Sequence, residues 1–173
     1  MKQEIMPIEV RDLTYRQGSK TIIDNVSFKV LPQERLAILG VNGSGKTSLI
    51  ECMLDINKAN SGEVLLGNNR LIRNISQIGV VWDQVELFPM LKVKEVLRYF
   101  SLLKGLKDID HNLYNLLNLD AIKQQQMKYL SKGERKKVCI FIAMMNQPHY
   151  LFSDELSSDL DEQTLSILWS NYY

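Results

Sequence analysis

The chain has 173 residues, and its 21 Lys and Arg residues nearly balance its 20 Asp and Glu residues. This length suffices for one domain with a hydrophobic core, and the net charge of +1 gives no broad basic face for nucleic-acid binding. The N-terminus lacks the apolar segment of a signal peptide, and the longest apolar run, residues 138–145, is too short to span a bilayer. Composition therefore predicts a soluble, cytoplasmic protein without a membrane span, which reaches a membrane only through a partner.

The N-terminal part has the pattern of β-structure. Residues 8–15 alternate apolar and polar side chains, and residues 21–30 continue in the same way after a turn at 17–20. Two such segments joined by a short turn predict an antiparallel hairpin. The apolar residues 35–39 then predict a fully buried strand.

A glycine-rich segment follows that strand and precedes a helix-forming stretch that begins at Ser48. Its pattern is G-x-x-x-x-G-K-[ST], in the residues Gly40, Val41, Asn42, Gly43, Ser44, Gly45, Lys46 and Thr47. Strand, glycine-rich turn and helix is the context of a phosphate-binding loop. An ordinary turn between a strand and a helix is the alternative.

The chemistry of phosphate binding explains these residue types. Glycines let the backbone N–H groups approach a polyphosphate, and the N-terminus of the helix adds positive partial charge. Lys46 would place its ammonium between the last two phosphates, and the Thr47 hydroxyl would ligate Mg²⁺.

The rest of the chain alternates short strands with helices. Residues 64–66, 78–82 and 150–153 predict strands, and a loop over residues 83–89 leaves the end of the second, where parallel sheets bind ligands. Residues 92–127 have helical periodicity and predict a small helical lobe, about residues 90–130. A strongly apolar helix is expected to run through Met145, and Cys52 and Cys139 are expected to be buried free thiols.

From about residue 8 to 161, these segments resemble the nucleotide-binding subunit of ATP-binding-cassette (ABC) transporters. The resemblance implies an α/β fold with a P-loop NTPase core of mainly parallel sheet, an N-terminal antiparallel β subdomain and an inserted helical lobe. All of residues 1–173 would then form one ABC-type ATP-binding domain. Its ATP contacts would come from residues 40–48, which include Ser48, and from Tyr15, whose ring would stack on adenine.

Residues 130–134, LSKGE, resemble the signature motif of the family, usually LSGGQ. In the family, Ser131 and the backbone of Gly133 would hold the terminal phosphate of ATP on an opposing subunit. This implies a head-to-tail homodimer or heterodimer with a second ATP-binding subunit. Lys132 and Glu134 depart from the usual glycine and glutamine.

Asp154 and Glu155 match the Walker B aspartate and the adjoining glutamate. The resemblance implies that Asp154 holds Mg²⁺ through water and that Glu155 is the general base for water attack. Gln84 is assigned to the Q-loop, as a magnesium and catalytic residue, although the usual slot holds Asp83. Residues 158–161 match the D-loop, while Leu156 and Ser157 replace its usual preceding proline and threonine.

The chain does not contain the family's switch histidine at the expected place, since neither His111 nor His149 lies after the D-loop. We therefore expect a C-terminally truncated domain, which is a fragment, a remnant or a half completed by another polypeptide. The absent strand would lie between residues 35–39 and 150–153. These two segments are therefore predicted to form no continuous ladder with each other.

The resemblance implies an ATP-binding subunit that, when complete and dimerised, hydrolyses Mg-ATP to drive transport through a transmembrane permease. The short helical lobe and the pattern of residues 80–84 favour export, and the permease would select the substrate. A nucleotide-binding module without turnover, regulatory or vestigial, is the alternative. Soluble ABC ATPases of DNA repair or translation are disfavoured, because they usually carry long coiled coils or tandem cassettes.

Overall fold

The computed structural model of the chain describes residues 5–66, 69–70, 77–83, 87–155, 160 and 162–171. The chain divides into two compact units, Met1–Ser76 and Gln77–Tyr173, and each is described by itself. Within the described ranges, no helix is both long enough and apolar enough to cross a membrane.

The first unit is built on a four-stranded antiparallel sheet. Its strands are β1 (Ile8–Gln17), β2 (Lys20–Val30), β3 (Ser61–Leu66) and β4 (Asn69–Arg70), in the order β2-β1-β3-β4. β1 and β2 form a hairpin in which Ile8 lies opposite Val30. Val10 and Leu13 are buried, while Arg11 between them is exposed. The predicted hairpin is therefore confirmed.

Gly62 at the start of β3 lies against an irregular turn of the β1 backbone. The register between β1 and β3 shifts between Arg11 and Thr14, and Asp12 has a positive φ of 47°. Gly62 has a φ of 86°, and a β-carbon there would lie 2.5 Å from the carbonyl oxygens of both Arg11 and Asp12. Glycine is required here both by the backbone angle and by the close approach of β1.

Residues 35–39 differ from the prediction, because they are neither a strand nor buried. They belong to neither described sheet, and Leu36 and Leu39 are 48% and 90% exposed. An apolar run becomes a strand only where neighbouring backbone completes its hydrogen bonds and covers its side chains. Residues 35–39 lie in the first unit and residues 150–153 in the second, so the prediction about a ladder between these segments stays a prediction.

The second unit packs helices around two parallel strands. β5 (Ile78–Val81) pairs with β6 (Tyr150–Ser153), with Ile78 opposite Tyr150 and Val81 opposite Ser153. The helices are α2 (Val93–Leu103), α3 (His111–Leu116), α4 (Lys132–Met144) and α5 (Glu162–Asn171). α4 supplies much of the core, including the fully buried Val138, Ile140 and Phe141.

The segment predicted as a helical lobe contains α2, α3 and two short 3-10 helices, Leu119–Ala121 and Met127–Tyr129. Lys104, the residue after α2, connects the C-terminal end of α2 to the C-terminal end of α4. The Lys104 ammonium donates hydrogen bonds to the Ile142 carbonyl at 2.8 Å and to the Asn146 side chain at 2.6 Å. Partial burial lowers the pKa of Lys104. Lys104 thereby caps the carbonyl end of α4, where positive charge is stabilising.

We predict that Gly62→Ala lowers the free energy of unfolding by about 2–4 kcal/mol, because it adds backbone strain and a clash with β1. Gly18→Ala is the matched control, since Gly18 also has a positive φ, 61°, but a β-carbon there meets nothing within 4 Å. That control is expected to lose about 1 kcal/mol, from the φ angle alone. Urea unfolding measures both losses. Equal losses in the two variants would contradict the role assigned to the β1 contact.

Candidate functional site

The glycine-rich segment forms a loop that leads directly into α1 (Lys46–Met53). The Ser44 amide donates to the Val41 carbonyl at 3.1 Å, which closes a tight turn. Gly43 and Gly45 have φ values of 78° and 97°, and Gly45 is the N-cap residue of α1. In a turn of this kind, with positive φ angles on either side of Ser44, successive backbone N–H groups point towards a common concavity, which binds anions.

Lys46 folds back over the loop that precedes it. Its ammonium donates to the carbonyls of Gly40 at 2.9 Å and Val41 at 3.1 Å. The first turn of α1 contains no acidic residue, and its N-cap glycine has no side chain with which to cap the helix. The positive end of the helix and the lysine charge therefore occur together at an exposed loop, which suits a polyphosphate.

The other predicted nucleotide residues of the first unit are placed as follows. Thr47 is exposed and Ser48 half-buried, both in the first turn of α1. Tyr15 is a half-buried residue of β1 opposite Ile23 in β2. Its proposed stacking on adenine stays a prediction.

Ser131 begins α4 as its N-cap, and Glu134 completes a capping box with it. The Glu134 carboxylate accepts hydrogen bonds from the Ser131 amide and hydroxyl, both at 2.8 Å. The Glu134 amide in turn donates to the Ser131 hydroxyl oxygen at 3.2 Å. This helix start differs from that of α1, because a carboxylate already occupies it. An anion at Ser131 would therefore compete with Glu134.

The carboxyl ends of β5 and β6 bring several predicted residues together. Asp154 and Glu155 directly follow β6, and the Asp154 amide donates to the Val81 carbonyl at 2.9 Å. Asp83 follows β5 by two residues. Gln84 lies outside the described residues, as do Leu156, Ser157 and residues 158, 159 and 161 of the segment assigned to the D-loop.

Lys136 is the residue of this region that the sequence analysis missed. Its side chain is only 4% exposed, and its ammonium donates to the carbonyls of Trp82 at 3.4 Å and Asp154 at 3.3 Å. The same nitrogen lies 3.8 Å from a carboxylate oxygen of Asp83. No signal in the sequence singles it out, because Glu134, Arg135 and Lys137 also precede buried apolar residues of α4 by four positions.

The carboxylates after β6 are donors of the kind that Mg²⁺ takes when it is bound together with a nucleotide. Among the described residues, no three His, Cys, Asp or Glu side chains cluster closely enough to hold a metal ion. Mg²⁺ commonly binds through one or two carboxylates together with water and substrate phosphates. Asp154 and Glu155 supply carboxylates of this kind, so the residues fit a Mg-ATP site better than a metal site of the protein alone.

The cysteines play no part in this chemistry. Both are buried and free, as predicted. Burial, with a smaller contribution from the charge of Glu51, raises the pKa of Cys52 to about 11. Burial likewise raises the pKa of Cys139. Both thiols are therefore protonated at neutral pH and are poor nucleophiles.

Comparison with known proteins identifies the family. A family model described as ABC transporter matches residues 23–158, which include the loop before α1, the start of α4 and the end of β6. The chain belongs to the ABC transporter family. This confirms the resemblance inferred from the sequence motifs, while the assignment of residues 40–47 as the P-loop stays a prediction.

Two of the similar proteins are named as ATP-binding proteins of a lipoprotein-releasing system and of sulfate/thiosulfate import. The lipoprotein-releasing system ATP-binding protein LolD of Legionella pneumophila is 31% identical, over 88% of this chain and 74% of the relative. The sulfate/thiosulfate import ATP-binding protein CysA of Nitrosomonas europaea is also 31% identical, over 90% of this chain but only 46% of the relative. The chain thus spans less than half the length of the second ABC protein.

Solved structures of the ABC family have the same fold. The structure of an ATP binding subunit of an ABC transporter superimposes with a TM-score of 0.83. The superposition covers 94% of this chain and 72% of that subunit, at 24% sequence identity. It confirms the predicted α/β fold, in which an N-terminal antiparallel sheet is combined with a parallel sheet and helices.

Proposed function

We propose that the chain binds Mg-ATP and, when complete and dimerised, hydrolyses it to drive substrate translocation through a transmembrane permease. The observation that carries this proposal is the glycine-rich loop at the uncapped positive end of α1, with Lys46 folded over it. Membership of the ABC transporter family supports the coupling to transport.

In the proposed mechanism, the residues of the chain bind the phosphates, hold the metal and activate water. The amides of residues 40–48 and the Lys46 ammonium bind the polyphosphate and balance its charge as water attacks the γ-phosphate in line. Thr47, Gln84 and Asp154 are the proposed ligands of Mg²⁺, which when bound neutralises charge on the phosphate oxygens. Glu155 accepts the proton of the attacking water as general base.

Ser131 and Gly133 are proposed to act on the ATP of a second ATP-binding subunit, in a homodimer or heterodimer. The capping box adds a requirement to this step, since the Ser131 hydroxyl donates to the Glu134 carboxylate. Ser131 therefore has to exchange Glu134 for the phosphate, and the Glu134 charge opposes the approach of an anion. Lys132, which is exposed beside it, offsets part of that charge.

The transport direction is proposed to be export, and the chain is proposed to lie in the cytoplasm, peripheral to the membrane through its permease. The relatives are named for both directions, as the lipoprotein-releasing and sulfate import proteins illustrate. The proposed direction therefore rests on the sequence pattern of residues 80–84 and on the short helical lobe.

A nucleotide-binding module without turnover is the second candidate function. The capping box favours it, because a carboxylate occupies the serine that would have to bind the phosphate of the opposing ATP. Phosphate release from the complete, dimerised protein with Mg-ATP favours the transport ATPase. Retention of labelled ATP without phosphate release favours the second candidate.

We predict that Lys46→Met weakens ATP binding roughly ten- to hundredfold, because a charge-assisted hydrogen bond contributes about 1.5–3 kcal/mol. Lys58→Met is the matched control, since Lys58 is an exposed lysine of the same unit. Equilibrium dialysis with labelled ATP measures both affinities. Equal affinities of the Lys46→Met variant and the control would contradict the role of Lys46.

We predict that Glu155→Gln leaves ATP binding unchanged but lowers hydrolysis about a hundredfold or more, because the amide cannot accept the proton of the attacking water. Phosphate release in single turnover, measured beside ATP affinity, separates these effects. Unchanged hydrolysis in this variant would remove Glu155 from the role of general base.

A further inference from the structure

Lys136 places a buried positive charge where two parallel strands end. The core cluster of the second unit includes Cys139, Ile140 and Ala143 of α4, and Lys136 lies on the same helix at 4% exposure. Its ammonium reaches one backbone carbonyl after each strand, those of Trp82 and Asp154.

Burying an ammonium is costly unless several acceptors surround it. Here the acceptors are two backbone carbonyls and, at 3.8 Å, the carboxylate of Asp83. A methionine of similar length would fill the same volume without this cost, so packing alone does not require a lysine. The lysine is needed for something that an apolar side chain cannot do, namely to hold the carbonyls in place.

The position of Lys136 in α4 gives that contact a consequence for the site. It lies one helical turn and one residue after Ser131, and it donates to the main chain of Asp154 itself. The start of α4 is therefore connected by one side chain to the residue after β6. A shift of α4 along its axis would move the carbonyl of Asp154 and, with it, the direction of the Asp154 carboxylate.

We propose that Lys136 is a positioning residue of the nucleotide site, which fixes the strand ends so that Asp154 presents its carboxylate to nucleotide-bound magnesium. The proposal rests on the proposed function, because it assigns Asp154 to magnesium. Asp83 belongs to the same arrangement, in which its carboxylate balances the buried ammonium. Asp83 therefore has a proposed role of its own, as the partner of Lys136, which differs from the Q-loop role proposed for Gln84.

The test compares Lys136→Met with Lys136→Arg and with the control Lys94→Met, an exposed lysine of α2. ATP affinity is measured for each full chain by equilibrium dialysis, once with excess MgCl₂ and once with EDTA. Support residues beyond the direct ligands typically contribute about 10- to 100-fold to metal affinity. We therefore expect Lys136→Met to lose affinity about tenfold with MgCl₂ and to keep wild-type affinity in EDTA.

The Lys136→Arg variant distinguishes loss of the positive charge from a general loss of folding. Its guanidinium keeps the charge and the donors, so Lys136→Arg is expected to recover most of the magnesium-dependent affinity. Wild-type magnesium dependence in Lys136→Met would overturn the inference. An equal loss with MgCl₂ and with EDTA would overturn it too, because general damage then explains the effect. If the wild-type chain binds no ATP under either condition, the proposed function fails and this inference fails with it.

A second measurement tests the strand-end contact without nucleotide. Trp82, whose carbonyl accepts from Lys136, becomes the single tryptophan when Trp169→Phe is introduced as a background change. Lys136→Met is expected to increase acrylamide quenching of Trp82 fluorescence, while Lys94→Met leaves it unchanged. Quenching that is the same in all three proteins would overturn the proposed contact.

Discussion

The positive end of α1 is the feature on which the proposed function depends. A helix N-terminus has amide groups without intrahelical acceptors, and they bind whatever acceptor the neighbouring sequence provides. At α1 the N-cap is a glycine without a side chain and the first turn contains no acid, which suits a phosphate acceptor from outside the helix. At α4 the sequence provides Ser131 and Glu134, which supply the acceptors internally. The N-terminus of α1 is thus suited to bind a polyphosphate, whereas the N-terminus of α4 is capped by its own side chains.

Much of the fold was predictable because the decisive information is local. A few neighbouring residues specify each strand, through the alternation of β1 and the apolar run of β6. The turn between β1 and β2 likewise specifies the hairpin locally. The spacing of the P-loop residues does the same for the start of α1, because the geometry of a phosphate-binding turn restricts the residue types it accepts. Ser131 and Glu134 are three residues apart, which is the spacing of a capping box. The capping of the start of α4 is therefore also predictable from the sequence.

Two features were not predictable in this way, because they depend on partners distant in the chain. Residues 35–39 have the composition of a buried strand, but hydrogen-bonded neighbours decide whether such a run becomes one, and here it forms no strand and is exposed. Lys136 was overlooked for the opposite reason, since a lysine is expected on the surface. Only the tertiary structure supplies the carbonyls of Trp82 and Asp154 that make its burial acceptable.

The central claim is that the backbone amides before and after Lys46 bind the phosphates of ATP. The most direct measurement is a two-dimensional NMR titration that follows the amide resonances of Gly43, Gly45 and Lys46. The account predicts large, saturable shifts of these three resonances with Mg-ATP and none with adenosine, which has the base but no phosphates. Unchanged amide resonances at saturating Mg-ATP, or the same shifts with adenosine, would contradict it.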